Sequence, residues 1–258
     1  MKVNGTEIFI ERIKGKGALN FILIHNAGGN HHFFIHQIEL LKKYGDVIWL
    51  DLPGHTGSES ISNYEMRDLS FIINQVCNEF SLKNICLIGL NNGANIVIDV
   101  ALNDSLPINS AILIDPPIFM EKKFIAEINE FISELEHDNC SHFVTSLVDA
   151  LFIATDNRNK EIATHAFNNV DKKSLQHIFK SLIAWDAQSA SKLKNISCPS
   201  LCILTDEHHC AYSKLREEAP QFEIGKVIGS KCWATLEVPD QINAMIERFL
   251  LLNCLKTT

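Results

Sequence analysis

The run CLIGLNNGAN, residues 86–95, carries an apolar segment into a turn bracketed by Gly89 and Gly93, with Asn91 at its centre. A turn of this kind can present a nucleophile, but an amide has no proton to give up and no basic lone pair on its nitrogen. Any reaction must therefore draw on other side chains. DEHH (206–209) holds two adjacent histidines, and with Cys232, beside Trp233, it could suggest a zinc site. Histidine and cysteine are zinc ligands, yet neither a Cys-x-x-Cys nor a His-Glu-x-x-His spacing occurs, and adjacent histidines are expected to point apart. The sequence thus gives no metal site and implies no cofactor. Asp115, just before Pro116, reads as a carboxylate that caps a loop. His31, His32 and His36 surround a helical segment and are expected to face solvent.

These residues must be positioned by regular elements, and apolar periodicity supplies them. FILIH, DVIWLDLPGH, ICLIGL, AILIDPP and SLCILTDEH, with FEIGKVIGS more faintly, are apolar without alternation and end at Gly, Asp or Pro, as strands covered on both faces do. TEIFIERI alternates like a half-buried strand. Between the runs lie segments of helical length and period, 33–45 and 66–82 among them. Strands alternating with helices predict an α/β fold built on a mostly parallel sheet. Asn-Gly between apolar flanks is locally a hairpin signal. Even so, the unbroken run before it, and the helical face formed by Ala94, Val97, Ile98, Ala101 and Leu102 after it, favour strand–turn–helix. From 118 to 190 every segment is helical in period, which predicts a helical insertion between core parts 1–117 and 191–258. That insertion holds seven phenylalanines and Trp185, expected to be mainly core and partly a pocket wall.

Composition narrows the function. The chain has 258 residues, 46% of them hydrophobic, enough for one large core. Its net charge of −8, with no basic cluster denser than MEKKF or DKKSL, argues against nucleic acid or an anionic membrane surface as partner. Charges interrupt every apolar run near the N-terminus and no window suits a spanning helix, so a cytoplasmic location is expected. Eight irregularly spaced cysteines suggest reduced thiols rather than a disulfide framework.

Several segments together, in order along the chain, resemble the α/β-hydrolase superfamily and specifically its capped, small-molecule branch. FILIHNAGG looks like the strand and oxyanion loop, DLPGHTGS is similar to the Asp-x-Pro-Gly-His-Gly-x-Ser loop, and GLNNG stands where the Gly-x-Ser-x-Gly elbow belongs. The resemblance implies an α/β-hydrolase fold with the 118–190 segment as a helical cap. It also implies that all three catalytic-triad positions are substituted: Asn91 for the nucleophile, His208 for the acid, counted nine residues from Pro199, and Cys232 for the histidine, counted back from LEVP. His208 and Cys232 are then expected in contact beside Asn91, with the thiol lowered toward a thiolate. Asp115 or Asp206 could orient His208. The backbone amides of Asn92 and Ala27 would form an oxyanion site, His25 and His55 would fix loops, Asn26 replaces a glycine, and Trp233 packs beside Cys232. The implied function is a divergent enzyme acting on a small carbonyl compound by hydrolase, lyase or cyclase chemistry. The alternative is an inactive pseudoenzyme that binds a small ligand.

Overall fold

The computed structural model describes residues 1–103, 105–136, 141–152 and 157–255, without the side chains of 141–144 and 157–158, Phe143 included. The chain begins with a two-stranded ribbon, β1 (Lys2–Val3) and β2 (Thr6–Glu7), and continues into the main sheet with β3 (Ile10–Ile13), β4 (Leu19–Ile24) and β5 (Gly45–Leu50). After these come β6 (Ile85–Leu90), β7 (Ile108–Ile114), β8 (Ser200–Leu204) and β9 (Glu223–Lys226). The seven-stranded sheet has the order β3-β5-β4-β6-β7-β8-β9, and only β3 runs antiparallel to its neighbour. β6 lies at the centre with every residue buried, which is why its sequence reads as an unbroken apolar run. This is the α/β-hydrolase fold.

Helices cover both faces: α1 (Ile38–Leu41), α2 (Met66–Glu79), α3 (Asn92–Leu102), then α4 (Lys122–Glu134), α5 (Ser141–Leu151), α6 (Asn157–Asn168) and α7 (Lys172–Ser189), and finally α8 (Tyr212–Glu218), α9 (Ala234–Glu237) and α10 (Pro239–Asn253). Among the described residues no helix is long and apolar enough to cross a membrane. Two expectations are corrected. TEIFIERI is split between two sheets, because Ile8 pairs with Met1 and the Phe9 N–H donates to Ser58 Oγ at 2.9 Å. The 33–45 helix is broken into a 3-10 turn, His31–Phe34, and the short α1. Asn30 accepts the His32 N–H, and Asp51 draws in both the backbone and the ring of His31.

The helices α4 to α7 lie between β7 and β8 in sequence and reach the loops at the carboxyl ends of the strands. Thr56 N–H donates to Asn169 O at 3.1 Å and Asp171 N–H to Gly54 O at 2.8 Å. Asp186 takes the N–H groups of Phe119 and Met120 at 2.7 and 2.9 Å. Trp185 donates to Asp99 of α3 at 2.8 Å, which ties α7 to the core rather than to a pocket.

The two glycines of GLNNG have a packing cause. A Cβ on Gly89 would overlap the backbone at Gly93 and Ala94, and one on Gly93 would overlap Ile24 O and lie 2.6 Å from His25 O. α3 can therefore cross β6 and β4 at close range only with glycine at both places. Gly93→Ala is expected to cost about 2 kcal/mol or more, seen as a lower urea midpoint at unchanged slope. An unchanged midpoint would contradict the close crossing.

Candidate active site

Asn91 stands on the tight bend between β6 and α3, with φ +49° and ψ −120°. The bend is fixed by its own N–H donating to Ile114 O at 2.7 Å and by Ala94 N–H returning to its carbonyl at 2.8 Å. With ψ at −120° this lies outside the left-handed α basin that asparagine favours, so the position is strained and is held by the packing around it. The hairpin alternative is thereby excluded. The Asn91 side chain folds back: Oδ1 accepts the Asn92 N–H at 3.0 Å, while Nδ2 points toward Asp115 O at 3.4 Å and Cys232 Sγ at 3.6 Å. The first amide of α3 is thus taken by the residue that precedes it.

Around this bend three further strand ends deliver side chains. Asp115 follows β7 at φ +49°, fully buried. His209 follows β8, and its Nδ1 lies 3.1 Å from Asp115 Oδ2. Cys232 comes from the loop between β9 and α9, and is also buried. One potential ligand atom from each of Asp115, His209 and Cys232 lies within 4.8 Å of the other two, so among the described residues this group could hold a cation. The opposite Asp115 oxygen, Oδ1, is buried without a hydrogen-bond partner.

Two expectations fail here. His208 is not the histidine of this group: its Nδ1 pairs with Thr205 O at 3.2 Å, and its ring lines an outer recess with Glu121, Lys123 and Glu207. Counting a fixed interval from Pro199 assumes a fixed loop length, and the loop after β8 presents the next residue inward. The doublet in DEHH was the available signal, but which member faces Asp115 depends on the loop's path. Nor is Cys232 poised as a thiolate. Burial pushes its thiol well above the ordinary range, and the Asp115 and Glu237 charges push it further. His209 is raised: burial opposes the charged ring, but the hydrogen bond and charge of Asp115 outweigh it.

The facing loop, after β4, is held by buried imidazoles. His25 Nε2 accepts the Leu52 N–H at 2.9 Å and its Nδ1–H donates to Asn26 O at 2.7 Å. His55 Nε2 accepts the Gly28 N–H at 3.0 Å while Nδ1–H donates to Pro53 O at 3.0 Å. Burial lowers both rings, with His55 reaching about 3, so each stays neutral with a fixed tautomer. Asn26 keeps the turn closed by accepting Gly29 N–H at 3.0 Å, and Gly29 leaves room for its side chain. His31 is buried rather than solvent-facing: Asp51 Oδ1 accepts its N–H at 2.9 Å and its Nδ1–H at 2.8 Å, and Phe9 stacks on the ring.

These walls enclose a cavity of about 190 Å³ lined by Asn26, Ala27, Asn91, Asn92, His209, Cys232 and Trp233 on the core side. Across from them stand Phe124 and Phe131 of α4, Phe167 of α6 and Phe179 of α7, with Glu127 of α4 among them. Phe124 packs on His209 with ring centroids 4.4 Å apart, and Trp233 is wedged between Phe33 and Phe152. The space is small and chiefly apolar. Asn26 Oδ1 and Asn92 Nδ2, both residues of the lining, are buried without partners.

This arrangement of sheet, elbow and loops defines a class. Residues 20–209 match the alpha/beta hydrolase fold family, and the chain belongs to it. Among its relatives, a pimeloyl-[acyl-carrier protein] methyl ester esterase of Wigglesworthia glossinidia brevipalpis is 27% identical over 206 residues, 76% of this chain and 77% of that protein. Among solved structures, the enol-lactonase from Burkholderia xenovorans LB400 superposes with a TM-score of 0.84 at 16% identity, covering 96% of this chain and 98% of that one. MenH from S. aureus gives 0.79 at 15% identity, covering 95% and 98%. At such identities the structural likeness speaks for the fold.

Asp51 provides a test of the loop network. Burial alone would raise its carboxyl, but the hydrogen bonds from the His31 ring and the His31 backbone N–H bring it below the ordinary value of 3.8. A depressed folded pKa stabilises the fold above about pH 4, and that contribution is lost as pH falls through the folded value. Asp51→Asn is therefore expected to lower the melting temperature at pH 7, with the gap to wild type narrowing below pH 4. A gap that stays constant down to pH 2 would refute this role.

Proposed function

We propose that the protein is a divergent α/β-hydrolase-fold enzyme that acts on a small, partly apolar carbonyl compound without a Ser-His-Asp triad. In this reading the 118–190 segment, with α4 to α7, forms a cap over the core parts 1–117 and 191–258, and the ligand lies between them. The substrate's carbonyl oxygen would displace the Asn91 side chain from the Asn92 N–H, where the dipole of α3 favours negative charge. Ala27, in the facing loop, lines the same space. Asn91 supplies no nucleophile, so proton transfer or attack falls to Asp115, His209 and Cys232. The observation that carries this is their convergence from three strand ends beside an apolar cavity, with one atom from each within 4.8 Å of the others.

A second reading, a ligand-binding pseudoenzyme, draws support from the Asn91 side-chain Oδ1, which already accepts the Asn92 N–H at 3.0 Å. The two readings part on kinetics. With a panel of small esters, lactones and thioesters, His209→Ala and Cys232→Ala are expected to lower kcat/KM by roughly a hundredfold or more, and His208→Ala to leave it unchanged. Asn91→Ala, which frees the amide of Asn92, is expected to raise it several-fold. Panel members that bind wild type tightly, with no turnover by it or by any variant, would leave the pseudoenzyme reading standing.

A further inference from the structure

We propose that Asp115, His209 and Cys232 are the ligands of a zinc ion at the wall of the cavity. Three points mutually within 4.8 Å have a common centre about 2.8 Å or less from each, against zinc bonds of about 2.0–2.2 Å to nitrogen and oxygen and about 2.3 Å to sulfur. Movements of up to about 0.8 Å toward that centre would close the set. The 3.1 Å from His209 Nδ1 to Asp115 Oδ2 is close to the edge of a zinc tetrahedron, roughly 3.3 Å for ligands at such distances.

Charge supports the same reading. A carboxylate and a thiolate neutralise a divalent cation, and a neutral imidazole completes the set without adding charge. A buried, apolar surrounding therefore tolerates the loaded site better than it tolerates either anion alone. Asp115 Oδ1 is buried and unpartnered, an orphan that a cation bound by this carboxylate would compensate. The Asn91 amide, 3.6 Å from Sγ, is placed to donate to a metal-bound thiolate, as outer partners of zinc ligands do. The ring of Phe124 limits the tilt of His209.

Three protein ligands leave a fourth position, and the cavity adjoins them. This is the ligand count of a catalytic rather than a structural zinc. The inference deepens the proposed function, because such an ion would activate water in a fold whose elbow lacks a nucleophile. Metal binding nevertheless stands or falls separately from turnover.

The test is metal content and spectroscopy of the whole chain. Purified protein equilibrated with zinc and then desalted should retain close to one equivalent, measured by plasma mass spectrometry. Asp115→Ala, His209→Ala and Cys232→Ala should each weaken zinc binding by roughly a hundredfold or more, while His208→Ala retains it. Cobalt-loaded wild type should show the strong visible bands of a tetrahedral ion and a thiolate-to-cobalt charge-transfer band, the latter lost in Cys232→Ala. Wild type with no retained zinc and no cobalt–thiolate band would overturn the proposal, even if turnover survived. Retained zinc without turnover would sustain the site and sink the enzyme reading instead.

Discussion

The bend at Asn91 is the constraint on which the rest depends. Its backbone is forced to a positive φ by two hydrogen bonds and by the close crossing of α3 over β6, which Gly89 and Gly93 alone permit. Because α3 starts there, Asn92 stands at the cavity wall with its amide taken by the Asn91 side chain, and Asp115 from the next strand end is brought alongside. A strained bend of this kind survives only where packing overdetermines it. Here the packing holds although the residue at its apex has no nucleophilic chemistry.

Opposite the bend, precision comes from neutral imidazoles rather than ion pairs. His25 and His55 each accept one backbone N–H and donate to one carbonyl, so two loops are locked together without a buried charge. Burial lowers both rings and keeps them in this state. Asp51 is the one buried anion of the network, and it is compensated by the His31 ring and by backbone amides. The cavity thus has one wall fixed by backbone strain and another by tautomer-specific hydrogen bonds. The polar set of Asp115, His209 and Cys232 stands between core and helices, backed by Phe124 on the helical side.

The fold was legible because its determinants are local and periodic. Buried parallel strands read as unbroken apolar runs, crossover helices as three-and-four spacing, and loops as Gly, Pro and Asp at strand ends. The bend itself was recoverable by setting ICLIGL and the following helical face against the hairpin preference of Asn-Gly. Less legible were the breaks in TEIFIERI and in 33–45, where Ile8, Phe9 and His31 bond to partners seven to about fifty residues away that no local pattern records.

The sequence by itself determined the sheet, the bend and the absence of a nucleophile at its apex, each from residue type and short-range order, whereas the loop-fixing role of His25 and His55 came from the resemblance of their segments to the α/β-hydrolase superfamily. Only the tertiary structure decided that His209 rather than His208 turns inward, that Cys232 is a buried neutral thiol, and that both meet Asp115. These three side chains come from loops after β7, β8 and β9, so no spacing motif can announce their meeting. Which of two adjacent side chains faces inward turns on a single residue of loop path, and that path is set by contacts between distant segments.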